Sequence, residues 1–207
     1  MRYQGGNNAG HTVVTQEGKF VLNLLPSGIL HPDVVCVLGN GMVIDLDHLR
    51  HEISVMQQMN VKITPDNLKI SDKATICMPM HVRQDVLEEE RLSQTGSAYG
   101  STRRGIAYAY GDKYMKKTLR IGDILNIDQP SVRHRLQVIV ESKNLILENV
   151  YKQDAISYNE LLEWCKNQAQ CFKDYICDTS KLLRDAAKNN KNILFEAQLR
   201  ALRDIDY

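Results

Sequence analysis

Short apolar runs and amphipathic stretches alternate along the chain. An apolar run from Lys19 to Leu30 ends at the turn signal Pro26-Ser27-Gly28 and is followed by His31-Pro32-Asp33. Val34-Val35-Cys36-Val37-Leu38 is continuously apolar, is closed by Gly39-Asn40-Gly41, and is followed by Met42-Val43-Ile44-Asp45. This pattern predicts two buried strands joined by a tight turn. Asn-Gly between such runs predicts that the two pair antiparallel or form an edge feature of a mixed sheet. Asp47 to Met59 reads as a helix, with Asp47 as its N-cap and Leu49, Ile53 and Met56 at helical spacing. Asn67 to Ser71 alternates as a strand does, and Ala74 to Met78 predicts another strand ending at Pro79. His81 to Arg91 is again helical, with its Glu88-Glu89-Glu90-Arg91 end expected in solvent. Beyond Pro130, Leu136 to Asn149, Tyr158 to Tyr175 and Thr179 to Lys188 carry helical periodicity, and Ile193-Leu194-Phe195-Glu196 is strand-like. The expected fold is α/β, with a mixed, mostly parallel sheet flanked by helices and a helical subdomain at about 131–190.

The 207 residues, 43% of them hydrophobic, suffice for a sizeable core, and no internal repeat or low-complexity segment breaks them up. A formal net charge of +1 gives no strong field, so composition predicts neither a nucleic acid nor a membrane surface as partner. No apolar run is long enough to cross a bilayer and the N-terminus lacks a signal pattern, which makes the cytosol the expected compartment. The five cysteines, Cys36, Cys77, Cys165, Cys171 and Cys177, form no CxxC pair. The last three recur every sixth residue, a spacing that spreads them around a helix rather than gathering metal ligands, so all five are expected to be structural.

Two stretches carry candidate chemistry. Arg2-Tyr3-Gln4-Gly5-Gly6-Asn7-Asn8-Ala9-Gly10-His11-Thr12 holds three glycines, two asparagines and a histidine. Such a loop can turn its amides and carbonyls to an anion or metal and bring an imidazole into the reaction, although most glycine-rich loops are merely turns. Ser93 to Gly111 is rich in Gly, Ser and Thr and carries Arg103-Arg104. It suits phosphate oxygens met by amides, hydroxyls and guanidinium groups; the plainer alternative is a surface loop with solvated arginines.

Four motifs in order sharpen this reading. Arg2 to Val14 resembles the RYQGGNNAGHTVV region of the adenylosuccinate synthetase family, and Leu24 to Leu30 resembles its HLLPSGIL segment. Leu38 to Asp45 is similar to its IGNGVVID strand. Gly100 to Ala107, with Asp112-Lys113-Tyr114 behind it, is similar to its G-[ST]-T-x-[RS]-G-I-[AG] loop. The resemblance implies a P-loop-NTPase-like synthetase fold and GTP-dependent ligation of IMP and L-aspartate to adenylosuccinate, through 6-phosphoryl-IMP, with Mg²⁺ and a homodimeric assembly. It implies that His11 is the catalytic donor to phosphoryl oxygens and the purine O6, that Gly10, His11 and Thr12 meet the phosphates of GTP, and that the Gly10 carbonyl ligates magnesium. It further implies that Asn8, Thr102 and Gln198 contact IMP and that Lys116 stands where the family sends an arginine across the dimer interface. A lysine keeps that charge without the bidentate fork. Tyr108 replaces a common proline. Around Gln198 the family's LFEGAQG-A-L-L-DID pattern is altered, reading Leu194-Phe195-Glu196-Ala197-Gln198-Leu199-Arg200-Ala201-Leu202-Arg203-Asp204-Ile205-Asp206. The family's GDEGKGK loop, with its general-base aspartate, and its aspartate- and guanine-binding regions have no counterpart in the sequence. The chain is therefore expected to be a segment without synthetase activity of its own, or a remnant that binds a nucleotide or a partner.

Overall fold

In the computed structural model, which describes residues 1–16 and 18–198, the sheet is built around one strand, β4 (Cys36–Ile44). Its Cys36, Val37, Leu38, Met42, Val43 and Ile44 are all buried, the near-continuous apolar reading expected of a strand covered on both faces. β1 (Arg2–Gly5) and β5 (Leu68–Ser71) flank it, and β7 (Ile176–Cys177) lies beyond β5, giving the order β1-β4-β5-β7. β6 (Thr75–Ile76) pairs with the last residues of β4. All of these pairings are parallel.

The expected hairpin at Gly39-Asn40-Gly41 is overturned, because β4 runs through it unbroken. The glycines are there because β1 passes too close for side chains. A Cβ on Gly41 would lie 2.0 Å from the Tyr3 carbonyl oxygen, and one on Gly39 would lie 2.9 Å from that of Arg2. The register also slips between Arg2↔Leu38 and Gln4↔Gly41, so β4 carries one extra residue there, as in a bulge. The antiparallel hairpin is instead β2 (His11–Thr15) with β3 (Gly18–Leu22). A short 3-10 helix (Ser27–Leu30) replaces the simple turn expected after Pro26.

Helix α1 (Leu46–Gln58) buries Leu46, Leu49, Ile53 and Met56, as its periodicity predicts. Its N-cap is Asp45 rather than Asp47: the Asp45 carboxylate accepts from the His48 amide at 3.0 Å. Asp47, inside the first turn, instead accepts from Trp164 Nε1 and Gln168 Nε2, each at 2.7 Å, and so ties α1 to α6 (Tyr158–Phe172). Pro79 opens α2 (Pro79–Ser93), where its missing N–H costs nothing. Then follow α3 (Ile106–Tyr114), α4 (Ile121–Ile124), α5 (Pro130–Asn149) and, after α6 and β7, α7 (Thr179–Lys188). The inner faces of α5 and α6, with Leu136, Ile139, Val140, Leu161, Cys165 and Phe172, belong to the same core cluster as the sheet. The Ile193–Glu196 run makes only an isolated parallel bridge, Glu196 to Arg2. Of the cysteines, Cys36, Cys77 and Cys165 are buried, all five are free, and among the described residues no group of His, Cys, Asp or Glu is gathered for a metal. Among the described residues no helix is long and apolar enough to cross a membrane.

Candidate functional site

The glycine-rich segment is half strand and half loop, and it is held from three sides. Gly5 ends β1 at φ +86°, a conformation that favours glycine. The Tyr110 hydroxyl of α3 accepts from the Gly5 amide at 2.8 Å and donates to the Gly41 carbonyl at 2.9 Å, joining the loop to β4. Asn7 is buried, and its Nδ2 donates to Asp45 Oδ2 at 3.2 Å, so the carboxylate that caps α1 also fixes the loop. Gln198 Nε2 donates to the carbonyls of Gly6 and Ala9, and its Oε1 accepts from the Gly6 amide. The Oδ1 atoms of Asn7 and Asn8 are out of solvent and without a protein partner. An oriented acceptor of that kind awaits a donor.

His11 stands at the start of β2. Its Nε2 is buried without a hydrogen bond and lies 3.6 Å from Glu196 Oε1. Burial pushes the imidazole pKa down and the Glu196 carboxylate only partly offsets this, so the net direction is downward and the neutral ring is favoured. Glu196 is itself anchored: the Ser27 amide and hydroxyl donate to its Oε2 at 3.0 and 2.9 Å, and Arg2 Nε lies 3.5 Å from its Oε1. Arg2 reaches on to the Asn23 carbonyl, and Asn23, Leu24 and Leu25 give their amides to the buried Glu52 carboxylate of α1. Gly10 and Thr12, on either side of His11, are exposed.

The second loop is hung on α2. Asp85, buried, accepts from Ser101 Oγ at 2.5 Å and from the Gly105 amide at 2.8 Å. Glu89 accepts from the Gly100 amide at 2.8 Å. Of the α2 end expected in solvent, Glu90 and Arg91 are exposed, whereas Glu89 is only 4% exposed and faces the loop. Gly105 sits at φ +71°, where glycine is favoured, and a Cβ there would also meet the backbone of His81 and Val82 at 2.5 Å. Between these pins Thr102, Arg103 and Arg104 face outward. The base of α3 abuts the first loop, with Ile106 Cδ1 against Gly6, so the two loops are neighbours. Asn8, Gly10, His11 and Thr12 therefore lie together on the first segment, Gln198 is bound to it, and Thr102 is on the neighbouring loop. Lys116 is set apart: it lies past the far end of α3, exposed, at φ +59°, on a cavity of about 800 Å³ shared with Tyr99, Tyr108 and Arg135.

Beneath α3 a polar network ties three helices. His81 Nδ1 accepts from the Met78 amide at 2.9 Å, so the ring proton is on Nε2, which donates to Asp112 Oδ2 at 3.0 Å. Lys143 of α5 donates to Asp112 Oδ1 at 3.0 Å and to Gln84 Oε1 at 3.1 Å. Burial pushes the His81 pKa down. Burial alone would raise that of Asp112, but the hydrogen bonds from His81 and Lys143 prevail and hold it below the usual carboxylate range. A cavity of about 1180 Å³ reaches Glu196 and is lined largely by apolar groups such as Val13, Phe20, Leu182 and Leu183, with His31 and Lys191 among its polar residues.

Sequence reasoning gave no role to Asp45, Asp85, Glu89, Tyr110 or Glu196. The i, i+4 spacing of Asp85 and Glu89, which puts both carboxylates on one face of α2, was the available signal.

Compared with known families, residues 1–207 match the one described as adenylosuccinate synthetase. The adenylosuccinate synthetase of Syntrophomonas wolfei is 42% identical over 207 residues, which is 100% of this chain and 47% of that protein. That of Heliobacterium modesticaldum is 44% identical over 206 residues, with the same coverage of 100% and 47%. A solved structure described as fully ligated adenylosuccinate synthetase from Plasmodium falciparum aligns with a TM-score of 0.85 at 30% identity, over 99% of this chain and 46% of that one. The chain spans about half the length of the curated relatives it matches. With the motifs, the parallel sheet and these matches in agreement over the whole sequence, the chain belongs to the adenylosuccinate synthetase family.

Proposed function

We propose that the two neighbouring loops form the IMP- and phosphate-binding part of a synthetase that joins IMP and L-aspartate at the expense of GTP. In this reaction O6 of IMP attacks the γ-phosphorus of GTP as the N1 proton leaves, GDP departs, and the aspartate amine then displaces phosphate from C6 to give adenylosuccinate. The developing charge on the phosphoryl oxygens and O6 calls for a fixed donor. His11 fits: a neutral imidazole whose Nε2 has no hydrogen-bond partner can present N–H to an oxygen, with the Glu196 carboxylate 3.6 Å from that nitrogen. Asn8 and Gln198 would take the purine nucleotide, Thr102 its phosphate, and Gly10, His11 and Thr12 the phosphates of GTP.

Magnesium fits the same loop in a limited way. Gly10 is exposed, and no acidic cluster gathers among the described residues. A single loop carbonyl suits this ion, which keeps water and phosphate oxygens for most of its shell. When bound, Mg²⁺ would neutralise charge on the transferring phosphate. The reading extends to a homodimer working in the cytoplasm. Tyr114 (75% exposed), Met115 (57%) and Val138 (49%) leave apolar surface near Lys116, as a symmetric contact presenting that lysine to the partner's nucleotide would require.

The observation that carries the proposal is the unpaired His11 Nε2 and Asn8 Oδ1 on a loop fixed by Tyr110, Asp45 and Gln198 beside the Thr102 loop. A calorimetric titration of the purified chain with IMP tests it. Saturable binding is expected, weakened about tenfold or more in Thr102→Ala, the usual worth of a hydrogen bond to a charged group. A folded sample that shows no heat of IMP binding would refute it.

A further inference from the structure

Residues that touch a ligand account for only half of the second loop's geometry; the other half is on α2. Asp85 and Glu89 are one helical turn apart, both more than nine-tenths buried, and both turn their carboxylates onto the same loop. Asp85 binds it at Ser101 and Gly105, and Glu89 at Gly100. Ser101 Oγ also accepts from the Arg103 amide at 3.1 Å, which fixes Arg103 at φ +55°. α3 has no side-chain N-cap; its first residue follows Gly105, whose amide is spent on Asp85. Glu89 Oε2 is buried and has no hydrogen-bond partner. Buried carboxylates are costly unless they accept good hydrogen bonds. Two of them spent on the backbone and hydroxyl of a six-residue loop indicate that its shape is what matters.

Resting on the nucleotide reading above, we propose that Asp85 and Glu89 are positioning residues for the phosphate group of the nucleotide monophosphate. They clamp both ends of the Gly100–Gly105 loop, and so set where Thr102 and the outward arginines stand toward that phosphate.

The test compares IMP, which carries the phosphate, with inosine, which does not, by calorimetric titration of the wild-type chain, Asp85→Ala, Asp85→Asn, Ser101→Ala and Glu89→Gln. Circular dichroism and thermal melts confirm that each is folded. Asp85→Ala should bind IMP at least tenfold more weakly with inosine binding within twofold of wild type. Asp85→Asn, which still offers an acceptor to Gly105, should recover most of the loss. If Asp85→Ala does not fold, Ser101→Ala and Glu89→Gln carry the comparison, each with a several-fold loss confined to IMP. Equal IMP binding by wild type and the variants would overturn the proposal alone, as would parallel losses of IMP and inosine, the mark of a purely structural role. A folded wild-type chain that binds neither would overturn the nucleotide reading and this proposal with it.

Discussion

At the residue scale the proposed chemistry rests on His11, whose ionisation is set chiefly by two opposed influences. Burial lowers its pKa and Glu196 raises it, with burial the larger. In Glu196→Gln the carboxylate charge is gone while the burial remains, so the His11 ring should titrate at a still lower pH, read from its imidazole resonances by NMR. An unchanged or higher pKa would show that Glu196 does not act on the ring. Tyr110→Phe removes one hydroxyl that serves both Gly5 and Gly41. It should lower unfolding stability by about 1–3 kcal/mol in urea titration, the cost of leaving such partners unpaired. His11, Asn8 and Gly10 were singled out in the sequence by the residue types of their loop together with the family resemblance. Tyr110 was not, because its hydroxyl meets glycines 105 and 69 positions away and nothing local marks it.

At the element scale β4 shows how one signal carries two meanings. Gly-Asn-Gly between apolar runs suits a hairpin, yet here it lets β1 lie against β4 without colliding side chains. Only the parallel partner, distant in sequence, decides between the two. Gly41→Ala places a methyl 2.0 Å from the Tyr3 carbonyl oxygen, so the strands must part. The expected loss is about 3 kcal/mol, the upper end of the usual cost of overpacking, measured by urea unfolding. The helices were more legible: α1, α2, α5, α6 and α7 follow from periodicity, with errors only at their ends. β7 and α4 were missed, being two and four residues long and so too short to show a period, and α3 was missed because most of it lies in the stretch read as a Gly-, Ser- and Thr-rich loop.

For the whole molecule, one buried and two half-buried histidines make stability depend on pH in one direction. His11, His48 and His81 all have folded pKa values below the ordinary 6.5, burial being the main cause in each. The unfolded chain therefore takes up protons first. Their contribution is complete above about pH 6.5 and is lost as the pH falls below it. Asp112, held below its ordinary 3.8, adds a loss in the same direction at lower pH. Thermal melts should show a lower transition temperature at pH 5.5 than at pH 7.5, and the difference should shrink in His81→Asn. Equal melting temperatures at the two pH values would contradict this account of the core. The network of His81, Asp112 and Lys143 matters to the whole because it locks α3 against α2 and α5, and α3 carries both Tyr110 under the first loop and Gly105 at the end of the second.

The central claim is that residues 5–12 and 100–106 of this folded chain form a single nucleotide site. Hydrogen exchange of the chain with and without saturating IMP tests it most directly. Amides in both loops should gain protection together on adding IMP, with the outer faces of α5 and α7 unchanged. Protection confined to one loop, or none in either, would contradict it.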